Sequence, residues 1–407
     1  MGRPTTGAVT RAVLLTAAAA FACTHAPPQP PPDSPAIPVV KPDWRAVTSF
    51  LDSAVAAGAA PGAVLGVSMG GAHFLHATGQ LGADDPTPVD ASTVYDLASV
   101  TKVVSLTTAL MLAVNEGMIE LDVPISRYVK EFSRDGKERV TVRMLLAHAS
   151  GLPAWRPLFR ETENRAEAIG LAVKTPLESP PGTREVYSDL GLIILTRAIE
   201  IAYGERLDTL LGRRVLGPLG MHSVRFLPQP EEQHRIAPTE LQPWRGRVLR
   251  GEVHDENAAR MDGVSGHAGL FGSAPDLLTF AEWVLDGWAE GPADERTGSS
   301  IGSSDHPSIR PSVLREFTRR QTLVPGSSRA LGWDTPTPGG SAGRFLSPSS
   351  FGHTGFTGTS IWIDPERQLA IVLLSNRVNP TRNNPRWNPV RGRIADLVMT
   401  TLFEDAR

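Results

Sequence analysis

Residues 97–115 constrain the fold more than any other stretch, because they are apolar on nearly every side and Lys102 is their only charge. A helix that is hydrophobic all round belongs in a protein core or a membrane. A buried lysine is costly unless a carboxylate pairs with it or its neutral form is favoured. The sequence therefore predicts a buried helix whose one charged residue has a specific task.

Composition limits the classes of protein that this chain can be. Its 407 residues, 41% apolar and 20% charged, predict a large core in two to three domains, or in one domain with an inserted subdomain. The formal charge of −3, without basic clusters, argues against a nucleic-acid partner. We expect no bilayer-spanning run after the first 25 residues. The single cysteine, Cys23, excludes a disulfide framework and a cysteine-rich metal site.

The N-terminus predicts export. Residues 1–22 contain two arginines, no acidic residue and an uncharged run at 12–22, which is typical of a signal peptide. Residues 20–23 also resemble a bacterial lipoprotein box, in which Cys23 is lipidated and attaches the protein to a membrane. Ordinary cleavage after Ala22 is the alternative, and both stay open. Either interpretation predicts a periplasmic protein.

A proline-rich segment separates this N-terminus from the folded part. Residues 27–38 hold seven prolines, which favour an extended spacer, so we assign 23–40 as a tether. Apolar residues at three-to-four spacing then predict a helix over 44–57.

Strand patterns occur near both ends of the folded part. Residues 64–69 and 73–77 flank a Gly-Gly turn, and residues 359–363 and 369–374 form a second hairpin. Because the middle of the chain has helical patterns, this order predicts an α/β fold, with an antiparallel sheet completed by both ends.

The predicted domain boundaries follow from this order of elements. We assign residues 41–125 and 265–407 to the sheet domain and residues 126–264 to a mainly helical subdomain. Residues 287–311 are rich in Gly, Ser, Asp and Pro, which indicates an exposed insertion.

Ser99 lies one helical turn before Lys102 and on the same face. Burial would favour a neutral lysine, which could act as a base beside the serine hydroxyl. The N–H of Ser99, near the helix start, would be free to bind an oxyanion. In the structural alternative, Ser99 caps the helix and Lys102 reaches its edge. Ser-x-x-Lys alone does not decide between them.

Two further motifs follow in the chain. Tyr187-Ser188-Asp189 lies between a Pro-Pro-Gly turn and an apolar stretch, which predicts a loop entering a helix, where Ser188 or Asp189 could simply cap. His353-Thr354-Gly355 precedes the late hairpin, where a glycine would let substrate backbone approach the strand. Its structural alternative is a turn histidine.

Together, these motifs resemble those of the serine β-lactamase and penicillin-binding-protein superfamily, especially the branch of class C β-lactamases, D-alanyl-D-alanine carboxypeptidases and esterases. Residues 140–153 and 266–273 are also similar to segments of that family. The resemblance implies an antiparallel sheet flanked by helices, with an inserted, mainly helical subdomain and the active site at the junction.

The resemblance also implies site roles. Ser99 would be the acylated nucleophile, Lys102 its hydrogen-bonded partner and Tyr187 a proton relay. The N–H groups of Ser99 and Phe356 would form the oxyanion hole, and no metal or other cofactor would be required. The substrate would be a peptidoglycan D-alanyl peptide, an ester or a β-lactam, bound through Asp189, His353, Thr354, Gly355 and Phe356.

The chain departs from the family pattern at two positions. Asp189 stands where many members carry Asn, and its carboxylate is suited to keeping Lys102 charged. His353 replaces the usual Lys, so we expect the charge that attracts a substrate carboxylate to titrate near neutral pH. Both departures affect substrate choice.

The sequence is also compatible with three alternatives. Residues 66–70 fit the Gly-x-Ser-x-Gly elbow with Ser68 as nucleophile, but a second strand follows where that motif needs a helix. A sensor or binding module without turnover would keep the same fold. A metal site, or polar structure at the pocket rim, would involve His254, Asp255, Glu256 and His267, whose spacing matches no helical zinc motif.

Overall fold

The computed structural model describes residues 1–2, 42–289 and 307–403. The tether, nearly all of the predicted signal peptide and residues 290–306 of the predicted insertion lie outside these described residues. Residues 42–407 cluster as one unit by themselves. Their division into a sheet domain and a helical subdomain stays a prediction.

The early and late strands meet in one six-stranded sheet in which every pair is antiparallel, as predicted. With strands numbered along the chain, its spatial order is β3 (Asp85–Pro88), β2 (Ala72–Gly82), β1 (Gly62–Met69), β11 (Leu369–Ser375), β10 (Ser360–Asp364) and β9 (Phe351–Thr354). The other described strands are β4 (Tyr95–Asp96), β5 (Arg225–Phe226), β6 (Leu241–Gln242), β7 (Arg247–Val248) and β8 (Leu270–Gly272).

Most of the described helices lie between the early and late strands. The described α-helices are α1 (Arg45–Ala56), α2 (Thr108–Asn115), α3 (Val142–Leu146), α4 (Leu158–Glu161), α5 (Arg165–Lys174), α6 (Asp189–Tyr203), α7 (Leu207–Leu211), α8 (Glu256–Arg260), α9 (Ala274–Ala289), α10 (Pro311–Thr318) and α11 (Asn388–Leu402). Short 3₁₀ or π segments are Ala98–Val100, Lys102–Thr107, Ile125–Arg127, Lys137–Arg139, Gly212–Leu216, Pro230–Arg235 and Pro385–Trp387.

The first hairpin excludes the nucleophile-elbow interpretation. Gly70 and Gly71 have φ angles of 55° and 80°, the left-handed conformations that a two-residue type I′ turn requires. The chain therefore passes from β1 directly into β2, without the helix that the elbow needs. Ser68 is 1% exposed within β1, and its hydroxyl donates to Glu282 Oε1 at 2.5 Å.

The sheet has an apolar core on each face, because successive strand residues point to opposite sides. Leu65 of β1 belongs to the same apolar cluster as Leu51 of α1, and α11 packs against α1. Val64, the preceding residue, belongs to the cluster that includes Leu278 of α9. Helices therefore cover both faces of the sheet, which confirms the predicted α/β arrangement.

The apolar run at 97–115 is buried, as predicted, but it is not one α-helix. It begins with a 3₁₀ turn, continues as a π segment and ends as α2. By length and hydropathy alone, Ala98–Asn115 could cross a membrane, so the expectation that no such run follows residue 25 was wrong. Most of the segment is buried inside the protein, which explains its apolar character.

Candidate active site

Ser99 lies in a 3₁₀ turn that follows the short strand β4. Its neighbour Ala98 has a φ of 45°, a left-handed conformation that costs a non-glycine residue about 1 kcal/mol. The carboxylate of Asp96 accepts from the N–H of Ala98 at 2.8 Å and from the N–H of His254 at 2.6 Å. Asp96 therefore holds the turn in place and connects it to the loop at His254.

Lys102 is buried, 1% exposed, and its ammonium group has three close partners. Its Nζ donates to Ser99 Oγ at 2.9 Å and to the carbonyl of His267 at 2.9 Å. The third partner is Asp189, whose Oδ1 lies 2.7 Å from Nζ in an ion pair. Ser99 of the first motif and Asp189 of the second therefore both contact Lys102.

The charge state of Lys102 differs from the first expectation. Burial lowers the pKa of Lys102, but Asp189 and Tyr187 together outweigh burial, and the net direction is upward. The expectation that burial makes this lysine a neutral base was therefore wrong. The structure agrees instead with the second expectation, that the carboxylate at 189 keeps Lys102 charged.

Tyr187 is surrounded by cations and imidazoles. Lys102 Nζ lies 5.0 Å from the centre of its ring, and the guanidinium carbon of Arg329 lies at the same distance. The ring centres of His148 and His353 are 4.6 and 6.0 Å away. Two cations and two imidazole rings therefore lie around one phenol ring.

His353 is buried and neutral, which contradicts the expectation of a charge that titrates near neutral pH. Its Nδ1 lies 2.8 Å from the carbonyl of Thr354, which can only accept, so Nδ1 carries the ring proton. Burial, Lys102 and Arg329 lower the pKa of His353 to about 3. The imidazole is therefore uncharged throughout the neutral range and supplies no fixed attraction for a carboxylate.

His148, in the family-like segment 140–153, has a matching role on the other side of Tyr187. It adopts a φ of 55°, and its Nδ1 accepts from the N–H of Ser188 at 3.0 Å. Burial lowers the pKa of His148 well below its usual value, with Arg329 and Lys102 acting in the same direction. The neutral ring thus fixes the loop that carries Tyr187.

Gly355 lies where there is no space for a side chain. A Cβ at this position would lie 2.0 Å from Thr359 Oγ1 and 2.5 Å from the carbonyl oxygen of Leu97, so the glycine lets this segment approach the turn that carries Ser99. The hydroxyls of Thr357 and Thr359 donate to the carbonyls of Asp96 and Leu97 at 2.7 and 2.9 Å. These contacts hold the segment that follows β9 against the turn that carries Ser99.

Phe356 is the residue after Gly355, and its N–H donates no hydrogen bond to any described residue. The carbonyl of Gly355, in the same peptide unit, accepts from Arg391 Nη2 at 2.7 Å. The carbonyl of Phe356 accepts from Arg377 Nε at 2.9 Å. Arg391 therefore orients the peptide that carries this N–H, and Arg377 holds the next peptide.

A cavity of about 290 Å³ opens at Ser99. Of the predicted site residues, the cavity brings together Ser99, Lys102, Tyr187, Asp189 and Phe356. His353, Thr354 and Gly355 do not line this cavity. The other lining residues are Ala98, Trp155, His254, Asp255, Glu256, His267, Ala268 and Arg382.

The comparison with known proteins agrees with this arrangement. Residues 47–396 match the family model described as Beta-lactamase. The chain belongs to the β-lactamase family. It is therefore a member of the superfamily of serine β-lactamases and penicillin-binding proteins, as the sequence motifs indicated.

Relatives of this β-lactamase-family protein carry several names. A putative D-alanyl-D-alanine carboxypeptidase of Salmonella agona (strain SL483) is 32% identical over 342 residues, which cover 75% of this chain and 74% of that protein. A penicillin-binding protein homologue from Caulobacter crescentus has a TM-score of 0.71 at 18% identity, covering 89% of this chain and 99% of its own. A class C β-lactamase from Rhodobacter sphaeroides has a TM-score of 0.65 at 21% identity, covering 88% and 99%. These structures confirm the fold.

The residues of the alternative metal hypothesis form two separate pairs in this family member. His254 Nε2 lies 2.8 Å from Glu240, and His267 Nε2 lies 2.9 Å from Asp255. Across residues 42–289 and 307–403, no group of three or more His, Cys, Asp or Glu residues is arranged to hold a metal ion. His254, Asp255 and His267 line the cavity, as the rim interpretation predicted for His254 and Asp255.

Sequence reasoning missed four residues of this site. Asp96, Trp155, Arg382 and Arg391 belong to no motif, and the last three reach the site from distant parts of the chain. For Asp96 alone a weak signal existed, because it immediately precedes the buried run at 97–115.

Proposed function

We propose that this protein is a serine hydrolase that works through an acyl-enzyme on Ser99. The observation that carries the proposal is the contact of Ser99 Oγ with Lys102 Nζ at 2.9 Å, in a cavity that Tyr187 and Asp189 also line. A serine hydroxyl is a weak nucleophile unless a neighbouring group takes its proton.

In the first step, Ser99 Oγ attacks the carbonyl carbon of an ester or amide. Its proton passes to the phenolate oxygen of Tyr187, and the carbonyl electrons move onto oxygen. When the tetrahedral intermediate collapses, the bond to the leaving group breaks and that group takes the proton from Tyr187. The products of this step are an alcohol or amine and an acyl ester of Ser99.

In the second step, water replaces the leaving group. Tyr187 takes a proton from the water, whose oxygen attacks the acyl carbon. Collapse of this second intermediate breaks the bond to Ser99 Oγ, which receives the proton back from Tyr187. The acyl group leaves as a carboxylic acid, and the protein returns to its starting state.

Lys102 acts in this scheme as a permanent cation, because Asp189 lies 2.7 Å from its Nζ. Its ammonium group orients Ser99 Oγ through a hydrogen bond and lies 5.0 Å from the centre of the Tyr187 ring. A charged lysine cannot accept the serine proton, so the role of base belongs to the tyrosine.

The oxyanion would be bound by the backbone N–H groups of Ser99 and Phe356. Preorganised donors of this kind contribute about 3 kcal/mol to acyl transfer. The free N–H of Phe356, the Arg391 guanidinium that orients its peptide and the Arg377 guanidinium on the next peptide support this assignment.

We also propose export and a substrate class. The segment at 1–22 would direct secretion, and Cys23 would attach the protein to a membrane if it is lipidated. The substrate would be an ester, a β-lactam or a peptide. The name of the Salmonella agona relative is the observation that supports a D,D-carboxypeptidase.

A panel of three substrates tests the proposed function. A chromogenic cephalosporin, a short-chain nitrophenyl ester and a D-alanyl-D-alanine peptide are each assayed with the parent protein and with Ser99→Ala. We expect hydrolysis of at least one substrate by the parent and of none by the variant. An adduct that persists without product release would instead identify a binding protein or sensor.

A further inference from the structure

A second cavity, which we call the basic groove, has a volume of about 950 Å³. Its lining comes from residues 129–137, from α5 and from the second half of α6. It shares no lining residue with the cavity at Ser99. Pockets that bind drug-sized ligands have volumes of about 300–1,000 Å³, so the basic groove is large enough to be a separate binding site.

Positive charge exceeds negative charge in the basic groove. Four exposed basic side chains line it without an ion pair or a hydrogen bond to any described residue: Lys130, Arg134, Lys174 and Arg197. Arg165 also lines the groove, but it is neutralised by Glu200 at 2.6 Å. The other lining carboxylates, Glu131 and Asp135, can offset only two of the four unpaired charges.

Lys137 also lines the basic groove and is buried without a carboxylate partner. Its side chain is 3% exposed, and its Nζ donates to the carbonyl of Val173 at 2.7 Å and lies 4.9 Å from the centre of the Phe132 ring. Lysine is almost never fully buried unless its charge is paired. Burial lowers the pKa of Lys137, although Asp135 acts in the opposite direction. An anion bound in the groove would supply the missing partner and favour the charged form of this lysine.

The basic groove also has an apolar floor. Val129, Ile169 and Val173 line it, and the two valines are buried. An inorganic anion would leave this floor in contact with water, whereas a ligand with apolar groups between its charges would cover it. The lining therefore suits a ligand that is both anionic and partly apolar.

Unpaired cations lie towards both ends of α5. Arg197 lies three residues before Glu200 on the same face of α6, and Glu200 pairs with Arg165 at the start of α5. Lys174 ends α5 nine residues later, which is about 14 Å along a helix. In an extended peptide, residues four positions apart are separated by about 13 Å. The cations of the groove therefore match acidic residues at that spacing.

We propose that the basic groove binds an acidic peptide in an extended conformation, with carboxylates at its cationic ends and apolar side chains on its floor. This binding goes beyond the proposed hydrolysis and does not require Ser99, because the two cavities share no lining residue. It makes the groove a docking site for acidic, partly apolar peptide segments.

Three matched peptides test the proposal. Acetyl-Glu-Leu-Glu-Leu-Glu-amide is titrated into the protein in a calorimeter, and the peptides with Gln or Lys in place of Glu are its controls. We expect a Kd for the Glu peptide at least about tenfold below that of the Gln peptide, and no binding of the Lys peptide. Raising the salt concentration to 1 M should weaken binding of the Glu peptide, because the Debye length falls to about 3 Å.

Variants assign the binding to the basic groove. Arg197→Gln removes an exposed, unpaired charge and should raise the Kd of the Glu peptide severalfold. Arg127→Gln is the matched control, because Arg127 pairs with Glu120 and does not line the groove. A Cβ on Gly170, in α5, would have no atom within 4 Å, so Gly170→Trp fits into the groove and should block the peptide.

Binding to Ser99→Ala separates this proposal from the proposed function. We expect this variant to bind the Glu peptide as tightly as the parent does, whether or not the parent is a hydrolase. Loss of binding in Ser99→Ala would place the peptide in the other cavity and overturn the proposal.

Three further results would overturn it. The Gln peptide could bind as tightly as the Glu peptide, or Arg197→Gln could bind the Glu peptide as tightly as Arg127→Gln. A single-stranded DNA oligomer could bind more tightly than the Glu peptide and lose its binding in Arg197→Gln, which would show that the groove selects a phosphate polymer.

Discussion

Asp189 and Lys102 form an ion pair of 2.7 Å in which the lysine is almost completely buried. The carboxylate keeps the lysine charged, and in the proposed mechanism a charged lysine leaves the base role to Tyr187. One residue that departs from the family pattern is therefore central to the proposed mechanism.

Asp189→Asn should shift the pH dependence of hydrolysis. Without the carboxylate, burial dominates and the pKa of Lys102 falls, so the alkaline loss of kcat/KM should begin at lower pH. The free energy of unfolding should also decrease by about 3 kcal/mol, because a buried charge loses its partner. Rate profiles from pH 5 to 10 and urea unfolding measure the two effects. If kcat/KM decreases at the same alkaline pH in the variant and the parent, Asp189 does not control the pKa of Lys102.

His353 should make the protein less stable in acid. Its pKa is about 3 in the folded state and about 6.5 when unfolded, so the unfolded chain binds more protons between these values. Stability therefore rises with pH across this window, and about 3 kcal/mol of the loss at pH 4 relative to pH 8 belongs to His353. Urea unfolding at several pH values measures this loss of stability.

The variant His353→Asn retains an N–H for the carbonyl of Thr354 and should flatten this dependence. His222→Asn, at an exposed histidine, is the control. If both variants keep the parent's slope of stability against pH, His353 is not held neutral in the folded protein.

Arg391→Gln should lower kcat about tenfold with a smaller change in KM. Arg391 donates to the carbonyl of the peptide whose N–H would bind the oxyanion, and loss of its charge makes that N–H a weaker donor. Burial and Arg377 lower the pKa of Arg391 to about 10, so it is a cation at neutral pH. Steady-state kinetics on a neutral ester measure the effect.

Two comparisons show whether Arg391 acts through the oxyanion hole. Arg391→Lys keeps the charge and should restore part of kcat, whereas the exposed control Arg386→Gln should leave both constants unchanged. If kcat decreases equally in the Lys and Gln variants, or if only KM changes, the role of Arg391 is purely structural.

Sequence patterns over a few residues were sufficient to predict much of the fold. The Gly70-Gly71 turn, the two hairpins and the buried run around Lys102 follow from residue types at short spacing, and the structure confirms them. The π segment within that run has no such signal, because an apolar sequence is equally compatible with α and π geometry. Its packing against the rest of the core decides it.

Site electrostatics were harder to predict, because they depend on contacts between distant parts of the chain. The sequence suggested the Lys102 and Asp189 pair through a known motif. It gave no indication that His353 is enclosed beside Lys102 and Arg329, which removes its charge. Gly355 was correctly singled out, yet its neighbour is Leu97, more than 250 residues earlier in the chain.

A pair of serine variants tests the choice of nucleophile. Ser99→Ala should abolish hydrolysis of every accepted substrate, whereas Ser68→Ala should retain most of it, because Ser68 is buried in β1 against Glu282. Lys102→Ala should lose hydrolytic activity as completely as Ser99→Ala, since the nucleophile and the lysine act as a unit. Circular dichroism checks that each variant is folded. Loss of activity with Ser68→Ala alone would move the nucleophile to the first hairpin.

Trapping of the acyl-enzyme tests the central claim most directly. The protein is mixed with an activated neutral ester, quenched in acid within seconds and after minutes, and measured as intact protein and as peptides by mass spectrometry. The account predicts one added acyl group on the peptide containing Ser99, which disappears as product forms and never appears in Ser99→Ala. Product formation in Ser99→Ala, or an acyl group on another residue, would contradict it.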